Sequence, residues 1–212
     1  MAVTAGHHAG APPNSQDPEN LRAERGLASV DARHILTTNF TYDLPGRNLS
    51  GIAGRVIGGW EVSSIISANT GEPATVQVGF NRSRNRSGRL ADRPNLRPGA
   101  SNSPVLGGPD RYFDPSAFEL QPAGFYGNVG RNTLIGPGFV NVGLSLGKII
   151  PVGERFTTEF RAEFFNLFNH ANFGVPSLGV FNANGSVRGN AGRITNTANT
   201  SRQIQFGLKL SF

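Results

Sequence analysis

Residues 202–212, RQIQFGLKLSF, alternate without interruption. Ile204, Phe206, Leu208, Leu210 and Phe212 share one parity, and Gln203, Gln205, Gly207, Lys209 and Ser211 share the other. Successive side chains of a β-strand point to opposite faces, so this segment reads as a strand with one apolar and one polar face. Chain ends ordinarily fray and run polar. A terminal strand that finishes on Phe212 needs something to hold it.

Four further runs carry the same signature. In 34–44, Leu36, Thr38, Phe40, Tyr42 and Leu44 share a face. In 56–68, Val56, Trp60, Val62, Ile66 and Ala68 oppose Glu61, Ser63 and Ser67, with Ile57 and Ile65 falling on the polar side. In 140–150, Val140, Val142, Leu144, Leu146 and Ile150 oppose Asn141, Gly143, Ser145 and Gly147. In 155–168, Phe156, Thr158, Phe160, Ala162 and Phe164 oppose Arg155, Thr157, Glu159, Arg161 and Glu163. These runs are longer than the five or six residues usual in globular strands. The composition agrees: 28 Gly and 14 Pro in 212 residues leave little room for long helices. The expected fold is all-β.

The spacing of the runs is informative. The first and second are joined by a stretch with Pro45, Gly46, Asn48 and Gly51, and the third and fourth by PVGE (151–154). Residues 69–139 and 169–201 are long connections, whereas loops beyond about 15 residues are uncommon in compact domains. Short periplasmic turns alternating with long extracellular loops characterise outer-membrane barrels. With the short turns periplasmic, strand 202–212 runs inward and residues 1–33 belong to an extracellular loop. Phe212, Phe156, Tyr42 and Trp60 then gather near one membrane boundary and Phe164, Phe165 and Phe168 near the other, where aromatic rings prefer to sit. Five strands cannot close such a barrel, since the smallest single-chain examples have about eight. The expectation is therefore a piece of a larger one. No run approaches 18 consecutive apolar residues, no signal peptide is visible in residues 1–30, and there is no Cys for disulfides or thiolate sites. A barrel needs no hydropathy peak, because its strands alternate.

Several segments, in order, resemble the C-terminal portion of TonB-dependent outer-membrane receptors of the Oar-like subfamily, which carry a carboxypeptidase-regulatory-like domain. They are ERGLASVDARHILTTNFTYDLP (24–45), YFDPSAF (112–118), GNVGRNTLIGPGFVNVGLSL (127–146), RAEFFNLFNHANFG (161–174) and GRITNTANTSRQIQFGLKLSF (192–212). The resemblance covers roughly residues 15–212. It implies antiparallel up-and-down strands forming the last strands of a large transmembrane barrel of about 22 strands, with residues 34–212 its C-terminal portion. It also implies ligand uptake powered through TonB. This chain would meet the TonB system only through a plug domain that it lacks, and would not transport alone. Phe206 and Phe212 resemble the terminal signal read by the barrel assembly machinery, a strand-addition recognition.

Other residues invite chemistry. NRSRNRSGRLADRPNLR (81–97) holds Arg82, Arg84, Arg86, Arg89, Arg93 and Arg97 against one acid, Asp92, in a chain of net charge +6. Nucleic-acid readers of single strands interleave aromatics for stacking, and this run has none, so nucleic acid is not the expected partner. In an extracellular loop, Arg82, Arg84, Arg86 and Arg89 could meet anionic lipopolysaccharide or an anionic ligand; an ordinary solvated loop explains the run as well. Glu61, Glu159, Arg161 and Glu163 sit on polar strand faces. Paired carboxylates can perform acid–base work, but alternating charges along a strand also suit a barrel lumen, which is the reading adopted. His7 and His8 are adjacent without an acidic partner, and His170 lies in an Asn-rich turn (FNLFNHANF). No GxSxG, HExxH or P-loop pattern occurs. The chain is expected to be no enzyme and to bind no metal or other cofactor, with outer-membrane lipids as its surroundings. The competing reading is a soluble β-sandwich whose basic loop binds carbohydrate or nucleic acid.

Overall fold

A computed structural model describes residues 15–46, 51–85, 92–153 and 155–212. In chain order they form β1 (Ile35–Asp43), α1 (Gly51–Ile57), β2 (Trp60–Asn69), β3 (Pro73–Ala74), β4 (Asn95–Leu96), β5 (Phe118–Glu119), β6 (Leu134–Ile135), β7 (Phe139–Val152), β8 (Phe156–Phe165) and β9 (Gln203–Ser211). Short 3-10 turns occupy Leu21–Glu24 and Pro115–Ala117. The described residues fall into two compact units. One lies within His34–Asn69, Phe139–Ala171 and Asn199–Phe212, the other within Met1–Arg33, Thr70–Gly138 and Asn172–Ala198.

The first unit is a single five-stranded sheet in the order β1-β2-β7-β8-β9, antiparallel throughout. Its register aligns the alternation of every strand. Tyr42, Val62, Leu146, Ala162 and Phe206 form one cross-strand row, and Phe40, Ser64, Leu144, Phe164 and Ile204 form another on the same face. The intervening row is Asp43, Glu61, Gly147, Arg161 and Gly207. A slip of one residue would send a whole strand's apolar set to the other face, so a common register across the sheet is a demanding arrangement. The apolar face is nonetheless exposed: Leu208 is 75% accessible and Phe206 69%. On that face Phe160 meets Trp60 edge-on at 6.5 Å and stacks with Phe206 at 6.2 Å.

Strand bounds differ from the periodicity in two places. The second run was expected to begin at residue 56, but Val56 and Ile57 close α1 and β2 starts at Trp60. Ile52 and Val56, like Ala53 and Ile57, are spaced i, i+4, which a helix places on one face. Gly59 then takes φ +76°, the left-handed conformation that ends helices. Gly58 is required by proximity, because a Cβ there would lie 2.6 Å from the Gly54 carbonyl oxygen and 2.8 Å from that of Gly46. The fourth run was expected to reach residue 168, but β8 stops at Phe165. Asn166 and Asn169 adopt positive φ. The Asn166 side chain accepts from the His170 N–H at 2.9 Å and donates to the carbonyls of His170 and Thr200, both at 3.0 Å. An Asx-type turn thus wins over continued alternation.

The second unit has a conventional core. Val76, Val78, Phe113, Phe118, Val129, Leu134, Val180 and Phe181 are buried together, with Phe113 and Phe118 edge-to-face at 6.0 Å. Both long connections supply it. Gln77 N–H donates to the Leu178 carbonyl and Val180 N–H to that of Gln77, each at 2.9 Å. Residues 15–33, expected only as leftover loop, dock into the same unit. Gln16 accepts from the Arg93 N–H at 2.6 Å and donates to the Gly127 carbonyl at 3.0 Å. Asn132 donates to the Leu27 carbonyl at 2.7 Å.

Candidate functional site

The sheet's polar face collects the charges singled out from the sequence. Arg161 on β8 donates to Glu159 Oε1 at 2.6 Å and lies 4.0 Å from Glu163 Oε1. Alternate positions of one strand share a face, which is why the three side chains meet. Glu61 stands in the same row as Arg161, with Gly147 between them, hence about 10 Å away at two strand spacings. Gly207 flanks Arg161 on the other side. A Cβ at either glycine would meet nothing within 4 Å, so the guanidinium has open space beside it. All four predicted residues are thus brought to one face. Ion pairs this exposed are worth only about 0–1 kcal/mol each. They keep the face hydrated and charged rather than hold the sheet together.

The arginine-rich segment is not one uniform patch. Arg93 is 3% exposed and pairs with Glu24 at 2.9 Å, so it belongs to the interior rather than to a loop surface. Asp92, the single acid of the run, is buried and accepts from the Ser83 N–H at 2.6 Å and the Ser83 hydroxyl at 2.9 Å. It shapes the backbone around Ser83. Arg82 donates through Nε to the Gln121 carbonyl at 3.2 Å, while Arg84 is exposed at φ +59°. Arg86 and Arg89 lie outside the described residues, as do His7 and His8. Hydropathy gave no means of separating Arg93 from its neighbours. The one available hint was an acid upstream, Glu24, too distant in sequence to be paired by inspection.

Elsewhere the polar groups serve structure. Asp114 caps the Pro115–Ala117 turn, accepting from the Ser116 N–H at 3.0 Å and the Ser116 hydroxyl at 2.8 Å. Those hydrogen bonds lower its pKa below the usual carboxylate range. Burial raises the Tyr112 phenol above its ordinary value, and its hydroxyl donates to the Ile135 carbonyl at 3.0 Å. Among the described residues, no group of three or more His, Asp or Glu could hold a metal ion. No helix among them is long and apolar enough to cross a membrane, which says nothing of strands.

What the geometry offers is a one-layer antiparallel sheet, charged on one face and mainly apolar on the other, whose long connections leave from one end. A soluble sandwich would bury that apolar face against a second sheet. No curated protein and no solved structure matches the chain. A protein-family model described as "Outer membrane beta barrel domain" matches residues 2–205, which decides between the two readings and points to the outer membrane of a Gram-negative bacterium. The chain belongs to the outer membrane beta barrel domain family.

Proposed function

We propose that the chain is the C-terminal barrel portion of a TonB-dependent receptor of the Oar-like subfamily and takes part in ligand uptake. The observation that carries this reading is the common register. Five neighbouring strands present most of their apolar residues as one surface and Glu61, Glu159, Arg161 and Glu163 on the opposite one. An apolar exterior and a charged interior are what a large barrel with a hydrated or plugged lumen requires. Five strands fall short of the about eight needed for the smallest closed barrel. Open edges in hydrocarbon cost several kcal/mol per unpaired backbone group, so further strands complete the wall. In this reading the second unit carries the ligand contacts. Arg82 and Arg84, together with Arg86 and Arg89, contact lipopolysaccharide or an anionic ligand. Phe206 and Phe212 serve the barrel assembly machinery. The TonB system acts through a plug domain carried elsewhere in the receptor.

Two measurements test it. Genomic sequence upstream of Met1 should continue in frame into further alternating strands and a plug; a stop codon and an unrelated gene would overturn the receptor reading. The chain itself should partition into detergent or lipid. Recovery as a monodisperse species without detergent would overturn the membrane reading altogether.

A further inference from the structure

The link between β1 and β2 holds a feature that a plain turn does not need. α1 (Gly51–Ile57) is apolar apart from Arg55 and has no buried residue; Ile52 is 82% exposed and Val56 62%. A helix of about two turns containing glycine does not persist alone in water. Its C-terminal end is nevertheless fastened. The Val56 carbonyl accepts from the Trp60 indole N–H at 3.0 Å and from the Lys148 ammonium at 2.6 Å. Lys148 also lies 4.8 Å from the centre of the Trp60 ring. Trp60 and Lys148 are cross-strand partners, and Lys148 in turn pairs with Phe160, so both anchors belong to the sheet's apolar face. A cation at a helix C-terminus is favourable. Here it comes from a face that otherwise presents Phe160, Leu208 and Leu210.

We infer that α1 is an interfacial helix, lying in the headgroup layer at the short-turn end of the sheet and burying Ile52 and Val56 among the lipid acyl chains. The inference rests on the membrane-barrel reading and adds a lipid-binding element to it. Three observations select a phospholipid surface as the occupant. The helix is tied to the face that turns to lipid. Its anchors are a Trp and a Lys, an amphipathic ring and a cation with an apolar stem, which favour the membrane boundary. Its one charged side chain, Arg55, is exposed in the last turn, where an anionic headgroup would meet it.

The chain has no Cys, so single-cysteine variants of the full chain carry a nitroxide at one place only. In phosphatidylethanolamine–phosphatidylglycerol vesicles, collision with oxygen and with a water-soluble nickel chelate reads the depth of each label. Labels at Leu208→Cys and Asn184→Cys provide the lipid and water references. The Ile52→Cys label should collide with oxygen several-fold more than the Asn184→Cys label and be correspondingly shielded from nickel. Adding Lys148→Met should release it towards the water reference while Leu208→Cys stays in lipid. A lipid signal at Leu208→Cys with a water signal at Ile52→Cys overturns this inference alone. Water signals at both overturn the membrane reading and this inference with it. Spin–spin broadening at Ile52→Cys would show a second copy covering the helix, and would also overturn the phospholipid assignment.

Discussion

The two units of this chain use the same amino-acid palette in opposite ways. In one, Val76, Val78, Phe113 and Phe118 are sealed inside. In the other, Phe40, Phe206, Leu208 and Leu210 stand outside. Burial in water is worth roughly 25 cal/mol per Å² of apolar surface, which the cored unit collects and the sheet does not. The sheet's stability must come from backbone pairing, cross-strand contacts and a surrounding that is itself apolar. Solvent, rather than composition, therefore decides what counts as the inside.

The largest expected break in that contrast is Phe113→Ala, which removes a fully buried ring at a cost of about 3–5 kcal/mol. In lipid, hydrogen exchange at the Gln77 and Val180 amides should accelerate strongly while the β7–β8 ladder stays protected. Equal acceleration in both would show one cooperative unit instead of two. Next comes a pair of neighbours halfway along β7. Leu144→Arg should cost about 2–4 kcal/mol in a bilayer by urea titration in vesicles, and Ser145→Gln no more than about 0.5 kcal/mol. Comparable losses would contradict the assigned faces. Phe212 lies beyond β9 and is 97% exposed, so deleting it forfeits at most the lipid burial of one ring, about 1.5–3 kcal/mol. In outer-membrane barrels assembled with this strand the deletion should lower insertion yield far more than the thermal stability of inserted protein, measured by outer-membrane fractionation and heat-modifiable mobility. Normal yield with reduced stability would leave Phe212 a packing residue only.

The smallest effect is expected at Asp114. Its folded pKa is depressed by the Ser116 hydrogen bonds, so its contribution is complete above the ordinary aspartate value of about 4 and is lost as the pH falls through the depressed value. The group is partly exposed, so solvent screening keeps the gain small. Asp114→Ala should cost about 0.5–1 kcal/mol at neutral pH and should flatten the acid limb of the cored unit's stability curve, followed by exchange at Val180.

Legibility followed periodicity. A strand facing two different media writes a period of two into the sequence, so Ile204 to Phe212 could be read without any structure, and so could the shared face of Glu159, Arg161 and Glu163. The cored unit writes no period. β3 to β6 are two residues each, and the buried residues come from irregular backbone whose positions depend on partners a hundred residues away. α1 was missed for a related reason. VIGGWEV reads as one apolar run, and only the left-handed Gly59 separates a helix from the strand that follows. In the arginine run, charge predicted exposure, and Arg93 defied it because Glu24 arrives from a distant segment.

The hydrogen bonds joining Gln77 to residues 178–180 have a consequence for synthesis. Arg188 reaches back in the same way to the Gly79 carbonyl, 109 residues earlier. A nascent chain can complete neither contact until residues 178–188 have left the ribosome, so the cored unit closes late and over long chain loops. Until then Val76, Val78 and Phe113 lie open to aggregation.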